Sequence, residues 1–518
     1  MLEHEDEVLY ALAHELGKLV LFLKEDSICM LGALEKLAGI EETIVREQAV
    51  KSLRVLFAHS SQDSLTHKAL PVVYNLAVSD SFSSRISACG LCVAAYSFAE
   101  DQKETLRQTF TNLCQDDISL VRRAAARVLG KFALVIEKSN LVEHVVGNFN
   151  KLYQDDQDQV KVLCLDSLVE IAKVLDKEES KRHIFPVFIS LSEEKNWRIK
   201  YHFAEKLPEI AKVLGTEALE TNLIVNLAQL LKDTEEEVKS AGLFALEELL
   251  PMIPQDKLHG VIFPPISVLA CDTSAKPSVR KNACRTLSKL SKFVPTEFCL
   301  SQVLPIIIER LTQENNTEIK QEVIEGLCEM SSILGSDLLS GSLIEALDLL
   351  SKDCPNWRLR ESSFKAFVVL GKKLGIDEFI SHLQSLFFRF LSDKVSTIRE
   401  TGVQNCKEFF ECFGMHWAET HLLPKLQETF HSQELSYSHR ITVLKVLECI
   451  PLNEVSLVVF EEASKDSVPN VRLAFCQVYE KLKHKSDKLD QLISTLTEDS
   501  DKDVKYFAKR ALNSKKCH

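Results

Sequence analysis

A basic residue that follows an aliphatic one recurs along the whole chain at a nearly constant interval. The residue before it is Val, Ile or Leu in eleven of thirteen cases. The interval varies little along most of the chain, and the last two intervals are shorter than the others. The thirteen basic residues are Arg46, Arg85, Arg122, Lys161, Lys200, Lys239, Arg280, Lys320, Arg360, Arg399, Arg440, Arg472 and Lys505. A period of about 39 residues indicates an array of one repeated unit rather than a set of unrelated domains.

Each unit carries the pattern of an amphipathic helix after an acidic turn. In DDISLVRRAAARVLG and the residues that follow it, one helical face collects Val121, Ala124, Ala125, Val128, Leu129, Phe132 and Ala133. Stretches such as LVEHVVGNFNKLYQ (residues 141–154) predict a first helix before the turn. A two-helix unit of this length is typical of HEAT repeats. The sequence therefore predicts an all-α HEAT-repeat α-solenoid, a superhelical horseshoe of about thirteen repeats after a partial N-terminal repeat at residues 1–24.

Smaller features predict how the repeats end and how they contact each other. Several second helices are expected to end at glycines that relieve a left-handed cap: Gly215, Gly335, Gly375 and Gly414. Pro186, Pro305 and Pro424 fall early in first helices, where a missing amide is tolerated. The acidic residue before each basic residue is expected to cap the second helix and to pair with the basic residue of the next repeat. Each such pair, if exposed, would contribute roughly 0–1 kcal/mol.

The composition and the motifs exclude several functions. The net charge is −13 and no local basic stripe is evident, which argues against nucleic-acid binding. No apolar run is long enough to predict a membrane-inserted helix. The fifteen cysteines are scattered, and the pair in CGLC (Cys89 and Cys92) lies in an apolar helical run, so we expect free core thiols in a reducing compartment. No motif of catalysis, metal binding or nucleotide binding occurs, which predicts a non-enzyme with no catalytic residue, metal or cofactor.

The turns between the two helices of each unit form the predicted binding edge. The words NWRIK and NWRLR place Trp197 and Trp357 in equivalent turns, each followed by an arginine, and Tyr437 occupies the corresponding turn further along. These residue types anchor protein interfaces. The alternative is that both tryptophans wedge into the core between repeats. Their polar flanks favour the exposed position, whereas Trp417 is expected to pack inside.

Many stretches of the chain resemble one family closely. They include DEVLYALAHELG, EETIVREQAVKSLR, SRISACGL, LRQTFTNLCQDDISLVRRAAA, NWRIKYHFAEKL, VSTIRETG, HWAETHLLPKL, SHRITVL and DVKYFAKRAL. These stretches are similar to the scaffolding A subunit of protein phosphatase 2A, its sixty-five kilodalton regulatory subunit. The resemblance leads us to expect that the chain lacks the first repeat of the family and the front half of the second.

The resemblance implies a non-catalytic scaffold within a heterotrimeric serine/threonine phosphatase, located in the cytoplasm and also in the nucleus. Residues 340–518 would form the arm that binds the metal-dependent catalytic subunit. The turn residues of this arm would be Trp357, Arg358, Tyr437, Arg440 and Val468. Residues 25–339 would form the arm that binds a regulatory B subunit. Its turn residues would be Glu41, Glu42, Asp117, Arg123, Trp197 and Arg198.

Departures from the family leave alternative functions open. Ser81, Ser119 and Ser396 stand where the family has tryptophan, proline and tyrosine, so a divergent paralogue that has lost one partner is one alternative. Another HEAT adaptor, such as a nuclear transport receptor or a cytoskeletal binder, is a second. A HEAT-type DNA glycosylase is disfavoured by the acidic net charge and by the lack of a basic groove in the sequence pattern.

Overall fold

The chain folds into a regular array of paired helices. The computed structural model describes residues 5–192, 194–216, 220, 223–338, 341–352, 355–482 and 484–514, and no strand occurs among them. The recurring basic residue is the fourth residue of a second helix in all thirteen described repeats. These helices are Thr43–His59, Phe82–Ala95, Ser119–Ala133, Asp158–Val174, Trp197–Leu214, Glu236–Leu249, Pro277–Leu290, Thr317–Leu334, Trp357–Leu374, Ser396–Trp417, Tyr437–Leu447, Pro469–Lys481 and Lys502–Ser514. The predicted all-α repeat architecture is confirmed.

The first helices are shorter and less regular than the second helices. Their α-helical parts are Leu31–Ala38, Leu70–Ala77, Lys103–Cys114, Gly147–Tyr153, Phe185–Ser192, Ile224–Leu230, Phe263–Cys271, Leu304–Gln313, Gly341–Lys352, Gln384–Phe390, Leu423–His431, Glu454–Ser464 and Asp487–Leu496. Pro186, Pro305 and Pro424 are each the second residue of one of these helices, as predicted. Pro305 and Pro424 lie two residues after the ends of π-helical turns, Cys299–Val303 and Ala418–Leu422. Because proline has no amide donor, it is tolerated where the hydrogen-bond pattern changes.

The N-terminal helix Glu5–Leu23 occupies the place of a second helix. It packs against the second helix Thr43–His59, just as second helices pack against each other elsewhere in the chain. The partial repeat predicted at residues 1–24 stays a prediction, and its first four residues lie outside the described residues. The internal contacts divide the chain into two compact units, Met1–Ile266 and Ser267–His518. The two binding arms inferred from the sequence remain a prediction.

The core consists of the apolar faces that the repeat pattern predicts. Val121, Ala125 and Leu129 are fully buried, whereas Ala124 and Val128 lie half-buried at the edge of the stripe. The two cysteines of CGLC are also buried, as predicted, and burial raises the pKa of Cys92 to about 12. The described cysteines are free thiols. Neither thiol of the CGLC pair is therefore suited to metal or redox chemistry.

Four glycines have a positive φ, as predicted: three follow the last residue of a second helix, and Gly414 kinks the helix Ser396–Trp417 near its end. Their conformation differs from the predicted cap. The φ and ψ angles are 83° and −177° at Gly215, 94° and 171° at Gly375, and 78° and −173° at Gly414. At Gly335 they are 54° and −140°. An extended ψ combined with a positive φ is essentially restricted to glycine, whereas the left-handed cap has a ψ of about +47°. At these glycines the backbone leaves the helix in an extended direction instead of adopting the left-handed cap conformation.

Arg122 shows how the recurring basic residue holds two turns at once. Its Nη1 donates to the carbonyl oxygens of Asp116 and Asp117 in its own turn, at 2.8 and 3.1 Å. Its Nε and Nη2 donate to the two carboxylate oxygens of Asp155 in the following repeat, at 2.5 and 3.1 Å. Asp155 also accepts a hydrogen bond from the amide of Gln157, at 2.8 Å. One arginine thus closes its own turn and ties it to the next.

Equivalent pairs form what we call the ion-pair ladder. Its members are Arg85–Asp116, Arg122–Asp155, Lys161–Glu194, Lys200–Asp233, Arg280–Glu314, Arg360–Asp393, Arg440–Asp466 and Arg472–Asp499. Each acid pairs with the basic residue of the preceding repeat, so the predicted direction of pairing was wrong. The predicted cap was also wrong for Asp116, because it accepts from the amide of Ile118, which is itself the N-cap residue. The carboxylates of the ladder are only 5–18% exposed, so the estimate for fully exposed pairs does not apply to them.

We expect the ladder to lose stability in acid. The hydrogen bond from Arg472 lowers the pKa of Asp499. Burial raises the pKa of Asp233, but Lys200 and the amide of Glu235 outweigh burial, so the pKa is lowered overall. A carboxyl with a lowered folded-state pKa stabilises the fold above its unfolded pKa of about 3.9, and this contribution disappears as the pH falls through the folded pKa. The urea concentration at half unfolding should therefore decrease when the pH is lowered below about 4. This decrease should be less steep in Asp499→Asn, because one ladder carboxylate is missing. A midpoint that stays constant into this range would contradict the expectation.

Candidate functional site

Trp197 lies half-buried at the start of the second helix Trp197–Leu214. Asn196 caps this helix, and its Oδ1 accepts from the amide of Arg198 at 2.9 Å. The Nδ2 of Asn196 donates to Oδ2 of Asp158 in the preceding repeat. The guanidinium carbon of Arg198 lies 4.7 Å from the centroid of the Trp197 ring. The turn therefore presents an aromatic ring with a cation stacked on it. The helix cap formed by Asn196 holds the turn in place.

The same arrangement recurs at Trp357, in the other unit of the chain. The Oδ1 of Asn356 accepts from the amide of Arg358 at 3.0 Å, and its Nδ2 donates to Oγ1 of Thr317 at 3.0 Å. The guanidinium carbon of Arg358 again lies 4.7 Å from the ring centroid. The repeated five-residue word is thus a structural motif: its asparagine fixes the helix start, and its arginine covers the tryptophan.

The burial of the three tryptophans separates two kinds of position. The side chain of Trp417 is only 1% exposed and packs against Phe379, Phe409 and Phe413. Trp197 and Trp357 are half-buried at the turns. The packing role predicted for Trp417 is confirmed. For the two turn tryptophans, the structure favours the exposed position over the core alternative.

The remaining residues predicted for the catalytic-subunit side differ in their availability. Tyr437 is the first residue of its second helix and is 43% exposed. Val468 is the N-cap of Pro469–Lys481 and is half-buried. The guanidinium of Arg440 donates to both carboxylate oxygens of Asp466, at 2.7 and 3.2 Å, so it already belongs to the ion-pair ladder. Tyr437 therefore offers a free surface, whereas Arg440 primarily holds the turn beside it.

The residues predicted for the B-subunit side lie in two different places. Glu41 and Asp117 are exposed on their turns, and Glu42 caps its helix by accepting from the amide of Ile44 at 3.4 Å. Arg123 lies instead on the face of the helix, and its buried Nε has no hydrogen-bond partner. The acidic members of the set thus share the turns, and Arg123 points to a different surface.

Sequence reasoning missed several exposed apolar residues at the same turns. Phe82 is the first residue of its second helix, as the two turn tryptophans are, and is 36% exposed. Ile44 and Leu120 are second residues of their helices and are also exposed. The repeat pattern could have revealed these positions, because the first residue of each second helix lies three positions before the recurring basic residue.

A basic groove contradicts the prediction that the chain has no local basic stripe. The exposed faces of three consecutive second helices, Thr43–His59, Phe82–Ala95 and Ser119–Ala133, line a groove of about 450 Å³. Its basic side chains are Arg46, Lys51, Arg54, Arg123, Arg127 and Lys131, and its one acidic side chain is Glu47. We call this surface the basic groove. The absence of a basic groove was one reason to disfavour a DNA glycosylase, and this reason no longer applies.

Neither a metal site nor a membrane-spanning helix is found in the described part of the chain. No group of three or more His, Cys, Asp or Glu side chains there could hold a metal ion. None of the helices described is both long and apolar enough to cross a membrane.

The fold defines the class of protein, an all-α HEAT-repeat solenoid, and solved structures of low sequence identity share that fold. Kap95p, from a structure concerned with its binding to RanGDP, aligns with a TM-score of 0.53 and 13% identity over 98% of this chain and 69% of that chain. Importin beta aligns with a TM-score of 0.50 and 14% identity over 94% of this chain and 69% of that chain. Identities this low support the fold alone.

The sequence comparisons confirm the resemblance to scaffold A subunits. The Protein phosphatase 2A scaffold subunit of Dictyostelium discoideum is 43% identical over 152 residues, 29% of this chain and 26% of that protein. The beta isoform of the 65 kDa regulatory A subunit of serine/threonine-protein phosphatase 2A from Homo sapiens is 46% identical over 136 residues, 26% of this chain and 23% of that protein. The chain thus spans about a quarter of the length of the curated relatives it matches. A family model described as PIK3R4-like, middle domain, matches residues 89–258.

Proposed function

We propose that this chain is a non-catalytic scaffold that assembles a serine/threonine phosphatase heterotrimer. The observation that carries the proposal is the similarity to proteins named as scaffold or regulatory A subunits of protein phosphatase 2A. The structure supports it with the capped and stacked tryptophan turns, one in each compact unit. Exposed tryptophan, tyrosine and arginine side chains are the usual anchors of protein interfaces.

In this proposal, the turns of the two arms bind different partners. The catalytic subunit binds residues 340–518 through Trp357, Arg358, Tyr437, Arg440 and Val468. A regulatory B subunit binds residues 25–339 through Glu41, Glu42, Asp117, Arg123, Trp197 and Arg198. Holding both partners on one chain makes the encounter of the catalytic site with a B-subunit-bound substrate intramolecular, which raises its effective concentration. The proposed location is the cytoplasm and the nucleus, which agrees with the free thiols.

Replacing Trp357 by alanine should weaken binding of the catalytic subunit by about 2 kcal/mol or more, which is about thirtyfold. The reason is that the half-buried ring and its exposed stacked arginine form one anchor that the substitution removes. The dissociation constant for the purified protein phosphatase 2A catalytic subunit can be measured by biolayer interferometry, with the chain immobilised.

Trp197→Ala is the matched control, because it removes the same ring from an equally built turn in the other unit. It should leave the affinity for the catalytic subunit unchanged and weaken binding of a B subunit. Equal affinity of the catalytic subunit for wild type and Trp357→Ala would remove Trp357 from the proposed interface. Failure of wild type to bind the catalytic subunit would overturn the proposed function itself.

A further inference from the structure

The basic groove concentrates positive charge on a chain whose net charge is −13. Six basic side chains line it against one carboxylate. Lys51, Arg123, Arg127 and Lys131 form no ion pair with any residue of the described chain. The net charge of the rest of the chain is correspondingly more negative. Uncompensated cations in one cleft attract an anionic ligand.

Two arginines of the groove have no carboxylate partner among the described residues, and one of them, Arg123, is half-buried, whereas Arg54 is exposed. The buried Nε of Arg123 has no hydrogen-bond partner. Arg54 donates only to the carbonyl oxygen of Gly90, at 3.1 Å, and burial lowers the pKa of its guanidinium. A β-carbon on Gly90 would lie 2.7 Å from the Nη2 of Arg54, so this glycine leaves the space that the guanidinium occupies. A buried polar donor without an acceptor is costly, which makes a ligand acceptor favourable here.

Arg46 gives a third indication, because it lacks the carboxylate partner that the arginines of the ion-pair ladder have. It is buried, and it donates to the carbonyl oxygens of Ile40 and Glu41, at 3.2 and 2.8 Å, and to Oγ1 of Thr43, at 3.2 Å. Its register equivalents Arg85 and Arg122 each pair with an aspartate of the following repeat. The positive charge of Arg46 therefore stays uncompensated at the edge of the groove.

The groove also has an apolar floor, which decides the class of ligand. Val50, Ile86, Leu120, Ala124 and Val128 line the groove together with the cations. An apolar floor suits the side chains of a peptide and offers nothing to a phosphodiester backbone. A long polyanion would also meet the acidic charge of the remaining chain. Adjacent helix axes lie about 8–10 Å apart, so crossing three helices takes about 20 Å, the length of about six extended residues.

We propose that the basic groove binds a short acidic segment of a partner protein, with Asp or Glu side chains on the cations and aliphatic side chains on the floor. This inference does not depend on the phosphatase scaffold. It rests on a surface formed by helix faces, whereas the proposed subunit contacts lie mainly on the turns. The two exposed cations Arg127 and Lys131 belong only to the groove and to none of those contacts.

The test uses the full chain and a fluorescein-labelled peptide of about eight residues in which glutamates alternate with leucines. Binding is followed by fluorescence anisotropy. The variant Arg127→Glu with Lys131→Glu reverses two groove charges. The control variant Lys151→Glu with Lys232→Glu makes the same change in net charge at exposed lysines outside the groove. All four side chains are exposed, so circular dichroism should show unchanged melting in both variants.

We expect wild type and the control variant to bind the peptide alike, and the groove variant to bind at least about tenfold more weakly. Replacing the glutamates by glutamine, or the leucines by serine, should also weaken binding. Equal binding by the two variants, or no binding by wild type, would overturn the proposal. An oligonucleotide of equal charge that binds more tightly than the peptide, and only with the groove intact, would overturn the peptide assignment in favour of nucleic acid.

Discussion

Replacing Trp417 by alanine is expected to lower the free energy of unfolding by about 3–5 kcal/mol. The ring is 1% exposed, and its centroid lies 6.3, 6.0 and 5.7 Å from the ring centroids of Phe379, Phe409 and Phe413. Its Nε1 also donates to Oε1 of Gln384, at 3.2 Å. The substitution leaves a large cavity among aromatic rings and an amide oxygen without its donor, and neither can be repaired by a small shift. Urea unfolding followed by circular dichroism measures the loss.

Trp357→Ala is the control for this substitution, because it removes the same side chain from a half-buried turn position. It should change the free energy of unfolding by no more than about 1 kcal/mol. Together the two variants separate the tryptophan that stabilises the fold from the one that is proposed to bind a partner. A loss in Trp357→Ala as large as that in Trp417→Ala would mean that the turn tryptophan is a core residue and would remove it from the proposed interface.

Replacing Asp155 by alanine is expected to destabilise the unit Met1–Ile266 by about 3 kcal/mol. The carboxylate is 5% exposed and accepts two hydrogen bonds from Arg122 and one from the amide of Gln157. Its removal leaves the arginine largely buried without its main counter-charge and breaks the tie between two successive turns. Because the two side chains are largely shielded from solvent, at 17% and 5% exposed, the loss should persist at high salt, where exposed pairs are screened.

The neighbouring aspartate supplies a matched control for the ladder. Asp156 also contacts Arg122, with Oδ1 3.1 Å from Nη2, but its side chain is 77% exposed. Asp156→Ala should therefore change the free energy of unfolding by less than about 1 kcal/mol. Similar effects of the two substitutions, or a loss in Asp155→Ala that disappears in salt, would show that the ladder is a surface feature without a stabilising role.

The repeat architecture could be predicted because the same pattern of basic and apolar residues recurs at a regular interval in the sequence. The interval between basic residues sets the repeat length, and the apolar stripe behind Arg122 sets the helix face. The glycine and proline positions could also be predicted, since each residue has a narrow range of backbone conformations. The ψ angle at Gly215 could not, because φ above zero leaves glycine several regions, and only the path to the next helix selects one.

The features that were missed depend on how successive repeats stack. The packing of neighbouring turns decides whether Asp155 pairs with the arginine of the preceding repeat or of the following one. A periodic sequence places an arginine at a similar distance on both sides, so it does not distinguish the two pairings. The basic groove joins cations from two helices that lie two repeats apart in the sequence, so a scan along the chain and a net charge of −13 both conceal it. In the sequence, Arg123, Arg127 and Lys131 are spaced about one helical turn apart on one helix, and this spacing could have indicated part of the basic groove.

The binding residues themselves stay predictions. The structure shows that Trp197, Trp357 and Tyr437 start second helices at exposed or half-exposed turns, and that Arg440 is held within the ladder. Exposure and shape define a surface that can bind, and the partner has to be identified by binding measurements.

The most direct test of the scaffold is to mix the purified chain with a regulatory B subunit and the protein phosphatase 2A catalytic subunit, and to measure the assembled mass by size-exclusion chromatography with light scattering. The account predicts a complex with one copy of each protein. It also predicts that Trp357→Ala combined with Tyr437→Ala keeps the B subunit and releases the catalytic subunit. If the chain elutes alone in the presence of both partners, the proposal that it is a phosphatase scaffold is contradicted.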